Sequence, residues 1–222
     1  MPKSNLVFLH GWGTTWESLY PIIHSLESSF NVYHPNLPYP KDKVLTLNDY
    51  ATFVLDFIKK EKIKNPILIG HSLGGAISTK IAVDQPHTIS KIILLSAASV
   101  RHALPSHIKF FQRFSKLLRP LRQPILKLLK LDASDYIVLK TDIEKQTFRN
   151  LIHADQSTSL SKITTPTLIL WGDNDAATPL ADGQKIHSLI KSSQFKSFPN
   201  TGHFFYLDHP QQVSQLITDF IL

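Results

Sequence analysis

The stretch Gly70-His71-Ser72-Leu73-Gly74 constrains this chain more than any other. It reads Gly-x-Ser-x-Gly, with an apolar run at residues 66–69 before it and a helix-like run at 73–83 after it. Between a buried strand and a helix, this pattern forces a tight turn that pushes the serine hydroxyl out of the fold. The glycines mark where the backbone must pass close to its neighbours. The N–H groups and the positive dipole end of the following helix converge on the same spot, where negative charge is stabilised. The bland alternative is a glycine-rich turn carrying a solvent-facing serine. Two further loops, described below, weigh against it.

The rest of the chain alternates. Residues 6–9 form an apolar run that ends in His10-Gly11-Trp12-Gly13, a strand followed by a glycine-rich loop. Residues 16–26 carry helical spacing at Trp16, Leu19, Ile22, Ile23 and Leu26, with Pro21 as a kink or boundary. A short strand is expected at 31–33 and a proline-rich loop at 34–40. A helix follows at 47–58, then the serine turn, then a continuous apolar strand at 89–95 of the kind parallel sheets use. Strands also read out at 167–171 and 194–198, and helices at 180–190 and 211–222. Alternating strands and helices predict an α/β domain with a mostly parallel sheet of six strands, helices on both faces, spanning residues 1–222.

The alternation breaks at 97–161, where no strand stands out. Ile108, Phe111, Phe114, Leu117 and Leu118 recur at helical spacing, and further helical segments are expected at 125–131 and 143–153. This stretch is expected to be a small helical cap inserted into the domain.

Two strand-end loops supply the chemistry that a serine lacks by itself. After the strand at 167–171 comes Gly172-Asp173-Asn174-Asp175; after the strand at 194–198 comes Pro199-Asn200-Thr201-Gly202-His203. In an open parallel sheet, loops past the strand C-termini gather along one edge. A serine hydroxyl is a weak nucleophile at neutral pH. It needs an imidazole to take its proton, and a carboxylate to hold that imidazole in the right tautomer. Ser72, Asp175 and His203 are the candidates, in the chain order this architecture uses. Asp173 is the alternative acid, and either aspartate could instead cap the helix that begins near Pro179. With eleven histidines in the chain, His203 stands out by its place on a strand-end loop.

A developing oxyanion needs N–H donors. The backbone N–H of Leu73, next to the nucleophile, and that of Trp12 are expected to supply them, leaving the Trp12 side chain free to wall the acyl pocket or to pack beneath the cap. His10 is expected to be a structural hydrogen-bonding residue. The substrate pocket is expected to involve Trp12, Phe111, Phe114, Phe148 and Phe204.

With His10-Gly11-Trp12-Gly13, Gly70-His71-Ser72-Leu73-Gly74-Gly75, Trp171-Gly172-Asp173-Asn174-Asp175 and Gly202-His203 on the page, the chain resembles the α/β-hydrolase superfamily over nearly its whole length. It is similar in particular to compact carboxylesterases of the type that cleaves pimeloyl-acyl-carrier-protein methyl ester. The resemblance implies serine-dependent hydrolysis of a small-molecule carboxylic ester through an acyl-enzyme, with no cofactor. Lactonases, thioesterases and cofactor-free haloperoxidase-like members share the same three residues. The antiparallel hairpin that opens many members is expected to be missing here.

Composition narrows the alternatives. The chain has no cysteine, so thiol catalysis and thiolate metal sites are excluded. No His-Glu-x-x-His pattern and no phosphate-binding glycine loop occurs, and no metal is expected. No run approaches a membrane span, and the first strand leaves no room for a signal peptide, so a cytoplasmic location is expected. Of the net charge of +7, the excess sits at 101–131, with eight Lys/Arg and no acid; the remainder carries 16 Lys/Arg against 17 Asp/Glu. An anionic partner there, an acyl-carrier protein or a membrane surface, is the sharper reading; solvated lysines over a cap are the plainer one. Nucleic acid is not expected, because no recognition motif accompanies the charge.

Overall fold

In a computed structural model of the 222-residue chain, the described residues are 3–101 and 140–222. They form a six-stranded sheet in the order β2-β1-β3-β4-β5-β6. The strands are β1 (Asn5–Leu9), β2 (Asn31–Tyr33), β3 (Ile67–His71), β4 (Lys91–Leu95), β5 (Thr167–Gly172) and β6 (Ser193–Phe198). Every neighbouring pair is parallel.

Side chains alternate across the sheet, as the two-residue strand repeat requires. Val7, Leu9, Leu68, Ile92, Leu94, Ile169 and Trp171 face one core. The helices on that side are α2 (Leu47–Lys60), α3 (Leu73–Asp84) and α5 (Leu180–Leu189). Leu6, Phe8, Ile67, Ile69, Ile93, Leu95, Leu168 and Leu170 face a second core, under α1 (Tyr20–Leu26) and α7 (Pro210–Ile221). Burying each such aliphatic or aromatic side chain contributes about 1.5–3 kcal/mol. Strands apolar on both faces explain why the central runs of the sequence are continuous rather than alternating.

The strand order places the site. From β1 the chain moves outward to β2, then α2 carries it back past β1 to β3. The loops after β1 and β3 therefore leave the sheet in opposite directions, which opens a crevice at their carboxyl ends.

Element ends follow local chemistry. Thr46 caps α2 in a reciprocal box with Asp49, and Thr141 does the same with Glu144 for α4 (Asp142–His153). The helix expected at 16–26 divides into a 3-10 turn at Trp16–Leu19 and α1, because Pro21 sits at the start of α1, where its missing N–H costs nothing. The strand expected from residue 66 begins one residue later and runs on through His71. Pro66 still takes part, as acceptor of the Ser90 N–H. A short helix α6 (Phe205–Asp208), not read from the sequence, follows His203.

Of the stretch 97–161, the helix expected at 143–153 is α4, whose Leu151 joins the first core. The helices expected around Ile108–Leu118 and at 125–131 lie outside the described residues. Among the described residues no helix is long and apolar enough to cross a membrane.

Candidate functional site

Ser72 occupies the turn between β3 and α3 with φ 52° and ψ −111°, a conformation that L-residues rarely adopt. Holding it costs on the order of 1–3 kcal/mol, which the surroundings must offset. They do so with three backbone bonds: Ser72 N to Leu95 O and Ala98 N to Ser72 O, both 3.0 Å, and Ala76 N to Ser72 O at 3.1 Å. The turn closes only because its ends lack side chains. A Cβ on Gly70 would strike the backbone of Gly74 and Gly75, and one on Gly74 would strike the carbonyl of Leu9.

The acid and the imidazole meet. Nδ1 of His203 donates to Oδ2 of Asp175 at 2.8 Å. The structure brings Asp175, not Asp173, to the histidine. Oδ1 of Asp175 accepts the N–H of Ala177 at 2.9 Å and that of Thr178 at 2.8 Å, and Oδ2 also accepts the Thr178 hydroxyl at 2.8 Å. The aspartate therefore also organises the turn leading into α5, but the helix cap weighed for it does not form: α5 has Pro179 at its N-cap and no side-chain cap bond. Burial pushes its carboxyl upward, but hydrogen bonding and charge from His203, with the Thr178 N–H, outweigh this and hold it below the usual carboxylate range. The Asp175 side chain is fully buried, while that of His203 retains 13% exposure. No hydrogen bond links Ser72 Oγ to His203 in this structure. Such bonds are often long in unliganded sites and tighten when substrate arrives.

His71, the residue before Ser72, ties the two halves together. Its Nε2 lies 3.1 Å from the carbonyl oxygen of His203, and the two rings are 4.6 Å apart. The bond requires the proton on Nε2, because a carbonyl only accepts. Complete burial, and then the nearby charge of His203, drive the His71 pKa well below its ordinary value, so the ring is neutral.

His10 is likewise a neutral, structural imidazole. Its Nε2 accepts the N–H of Leu37 at 3.0 Å, which leaves Nδ1–H to donate to Gly11 O at 2.9 Å. Burial lowers its pKa. The bond pins the proline-rich loop after β2 to the glycine loop after β1.

Those two loops border a cleft of about 220 Å³, lined by Trp12, Tyr39, Tyr50 and Leu73 among others. Among the described residues, neither the N–H of Trp12 nor that of Leu73 donates to a protein acceptor. The Trp12 ring packs against Tyr39 at 6.4 Å and Phe148 of α4 at 5.7 Å. The Phe204 ring lies 5.3 Å from that of His203 and 5.1 Å from that of His71. Phe111 and Phe114 lie outside the described residues. Among the described residues, no cluster of His, Asp or Glu is arranged to hold a metal ion.

Sequence reasoning passed over His71, Thr178 and the Tyr39–Glu144 pair, in which a hydrogen bond to the buried Glu144 raises the Tyr39 pKa. Thr178 carried a usable signal, since a threonine three residues after an aspartate fits a side-chain-stabilised turn. His71 carried none, because its partner is 132 residues away.

A strand-turn-helix serine, a buried aspartate–histidine pair and a crevice at the switch point of a parallel sheet are the features of the α/β-hydrolase fold. The sequence profile of the alpha/beta hydrolase family matches residues 6–216, and the chain belongs to that family. It is 24% identical over 247 residues to the "uncharacterized hydrolase YugF" of Bacillus subtilis, covering 99% of this chain and 90% of that protein. It is 26% identical over 250 residues to the pimeloyl-[acyl-carrier protein] methyl ester esterase of Photobacterium profundum, covering 98% and 94%. Among solved structures, a bacterial membrane phospholipase A superposes with a TM-score of 0.78 at 22% identity, over 99% of this chain and 78% of that one.

Proposed function

We propose that this hydrolase cleaves small-molecule carboxylic esters through an acyl-enzyme. The observation that carries the reading is the 2.8 Å bond between His203 Nδ1 and buried Asp175, on the sheet edge that also presents Ser72 in its strained turn. With Nδ1 bonded to the carboxylate, the lone pair of His203 falls on Nε2, the atom that must accept the serine proton. Ser72 Oγ attacks the ester carbonyl as that proton moves. The tetrahedral oxyanion is held by the N–H groups of Leu73 and Trp12, reinforced by the N-terminal dipole of the 12-residue α3. Imidazolium returns the proton to the leaving alcohol. Water then enters by the same base and releases the acid.

The cleft beside Trp12, with Phe148 behind it, takes the acyl or alcohol group. Similarity to an acyl-carrier-protein methyl ester esterase supports an ester over an amide. The basic run at 101–131 supports an anionic carrier or surface as the vehicle of the substrate, an association that added salt weakens.

Turnover of p-nitrophenyl acetate and butyrate by the native chain and by Ser72→Ala tests the reading. Hydrolysis that disappears in a folded Ser72→Ala protein supports it; hydrolysis that survives removes Ser72 from the chemistry.

A further inference from the structure

The Thr178 hydroxyl occupies a corner that the proposed mechanism does not use. Its Oγ1 lies 2.8 Å from Asp175 Oδ2, 3.2 Å from His203 Nδ1 and 3.3 Å from the carbonyl oxygen of Ser96. The residue is buried. Its backbone is clamped on both sides: its N–H is given to Asp175 Oδ1 at 2.8 Å, and its carbonyl accepts the Trp171 indole N–H at 2.7 Å. A hydroxyl needed only to fill this space could be a methyl group.

We infer that Thr178 is a positioning residue that sets how strongly Asp175 holds the His203 imidazolium. The inference rests on the roles proposed above for Asp175 and His203. Oδ2 receives two donors, the Thr178 O–H and the His203 N–H, at the same 2.8 Å. A hydroxyl proton on that oxygen disperses the negative charge facing the imidazole. The carboxylate then orients the ring without over-stabilising its protonated form. Among the described residues, the other titratable group whose ring faces that of His203 is His71 of β3, which burial holds well below the ordinary histidine pKa, so Asp175 dominates the field at the ring. The hydroxyl also fixes which oxygen the imidazole meets, because the Thr178 and Ala177 N–H groups already engage Oδ1.

The test is the pH profile of kcat/KM for p-nitrophenyl butyrate, over roughly pH 5 to 9, in the native chain, Thr178→Val, Thr178→Ala and Thr178→Ser. Without the hydroxyl, Oδ2 concentrates its charge on the imidazolium, and the acid limb moves up by about half a pH unit or more. Thr178→Ser restores the limb to its native position. Valine and alanine profiles that superimpose on the native one overturn the proposal. So does a serine variant that regains the fold without the limb, or a loss of fold in both hydroxyl-free variants. Asp175→Asn, run alongside, separates the two layers: if it keeps native activity, the role of Asp175 falls and that of Thr178 with it; if it is inactive while Thr178→Val is unshifted, only the role of Thr178 falls.

Discussion

His71 Nε2 and the carbonyl oxygen of His203 lie 3.1 Å apart, so the strand that presents the serine holds the backbone of the loop that presents the base. Replacing His71 with leucine keeps much of the ring's volume but removes the donor. The His203 loop then loses its only side-chain hydrogen bond to β3 among the described residues. Displacing a catalytic group by about 1 Å can cost on the order of 100-fold in rate. His71→Leu is therefore expected to lower kcat for p-nitrophenyl butyrate by roughly ten- to 100-fold with little change in KM. Steady-state kinetics on the folded variant checks this.

The same histidine makes stability depend on pH. His71 and His10 are both buried neutral, so their folded pKa values lie below the ordinary value of about 6.5. In a window below about pH 6.5, the unfolded chain binds protons at these positions that the folded chain does not, so acidification favours unfolding. Their contribution is complete above that pH and is lost as pH falls beneath it. Asp175, also depressed, adds a second loss only as pH falls through the carboxylate range. Thermal melts between roughly pH 7.5 and 5.5 should show a falling Tm, and His71→Leu should flatten that fall.

Asp175 and Asp173, two residues apart in one loop, should separate cleanly. Asp175→Asn keeps the shape but presents an amide to His203 Nδ1, which favours the wrong tautomer; a loss of about 10,000-fold in kcat is the expected scale. Asp173 makes no side-chain hydrogen bond to His203, and its N–H bonds the carbonyl of Phe198 at 3.0 Å. Asp173→Asn should stay within a few-fold of native activity. Parallel kinetics on the two amides decides between them, and equal losses would contradict the assignment.

Much of this arrangement is legible in the chain because the signals are local. Apolar runs between turn residues locate the central strands β1, β3, β4 and β5, and the spacing of Tyr50, Val54, Phe57 and Ile58 marks the side of α2 that packs on the sheet, with Phe57 only half-buried. The Gly70 and Gly74 positions announce a close backbone approach that the structure contains. What stays hidden is the side-chain geometry between distant segments. Nothing near His71 signals a bond to residue 203, and nothing near Tyr39 signals its hydrogen bond to Glu144 of α4. Phe204 is a further case. Its ring lies against those of His203 and His71, a placement that its sequence neighbourhood does not announce.

The most direct test of the central claim is covalent labelling. A fluorophosphonate reacts with a serine only where a base activates it and an oxyanion hole receives the phosphoryl oxygen. Digestion of the labelled native chain followed by peptide mass spectrometry should place the adduct on Ser72, and prior substitution of His203 with alanine should abolish it. A folded native chain that takes no label at Ser72, or takes it equally without His203, would contradict the account.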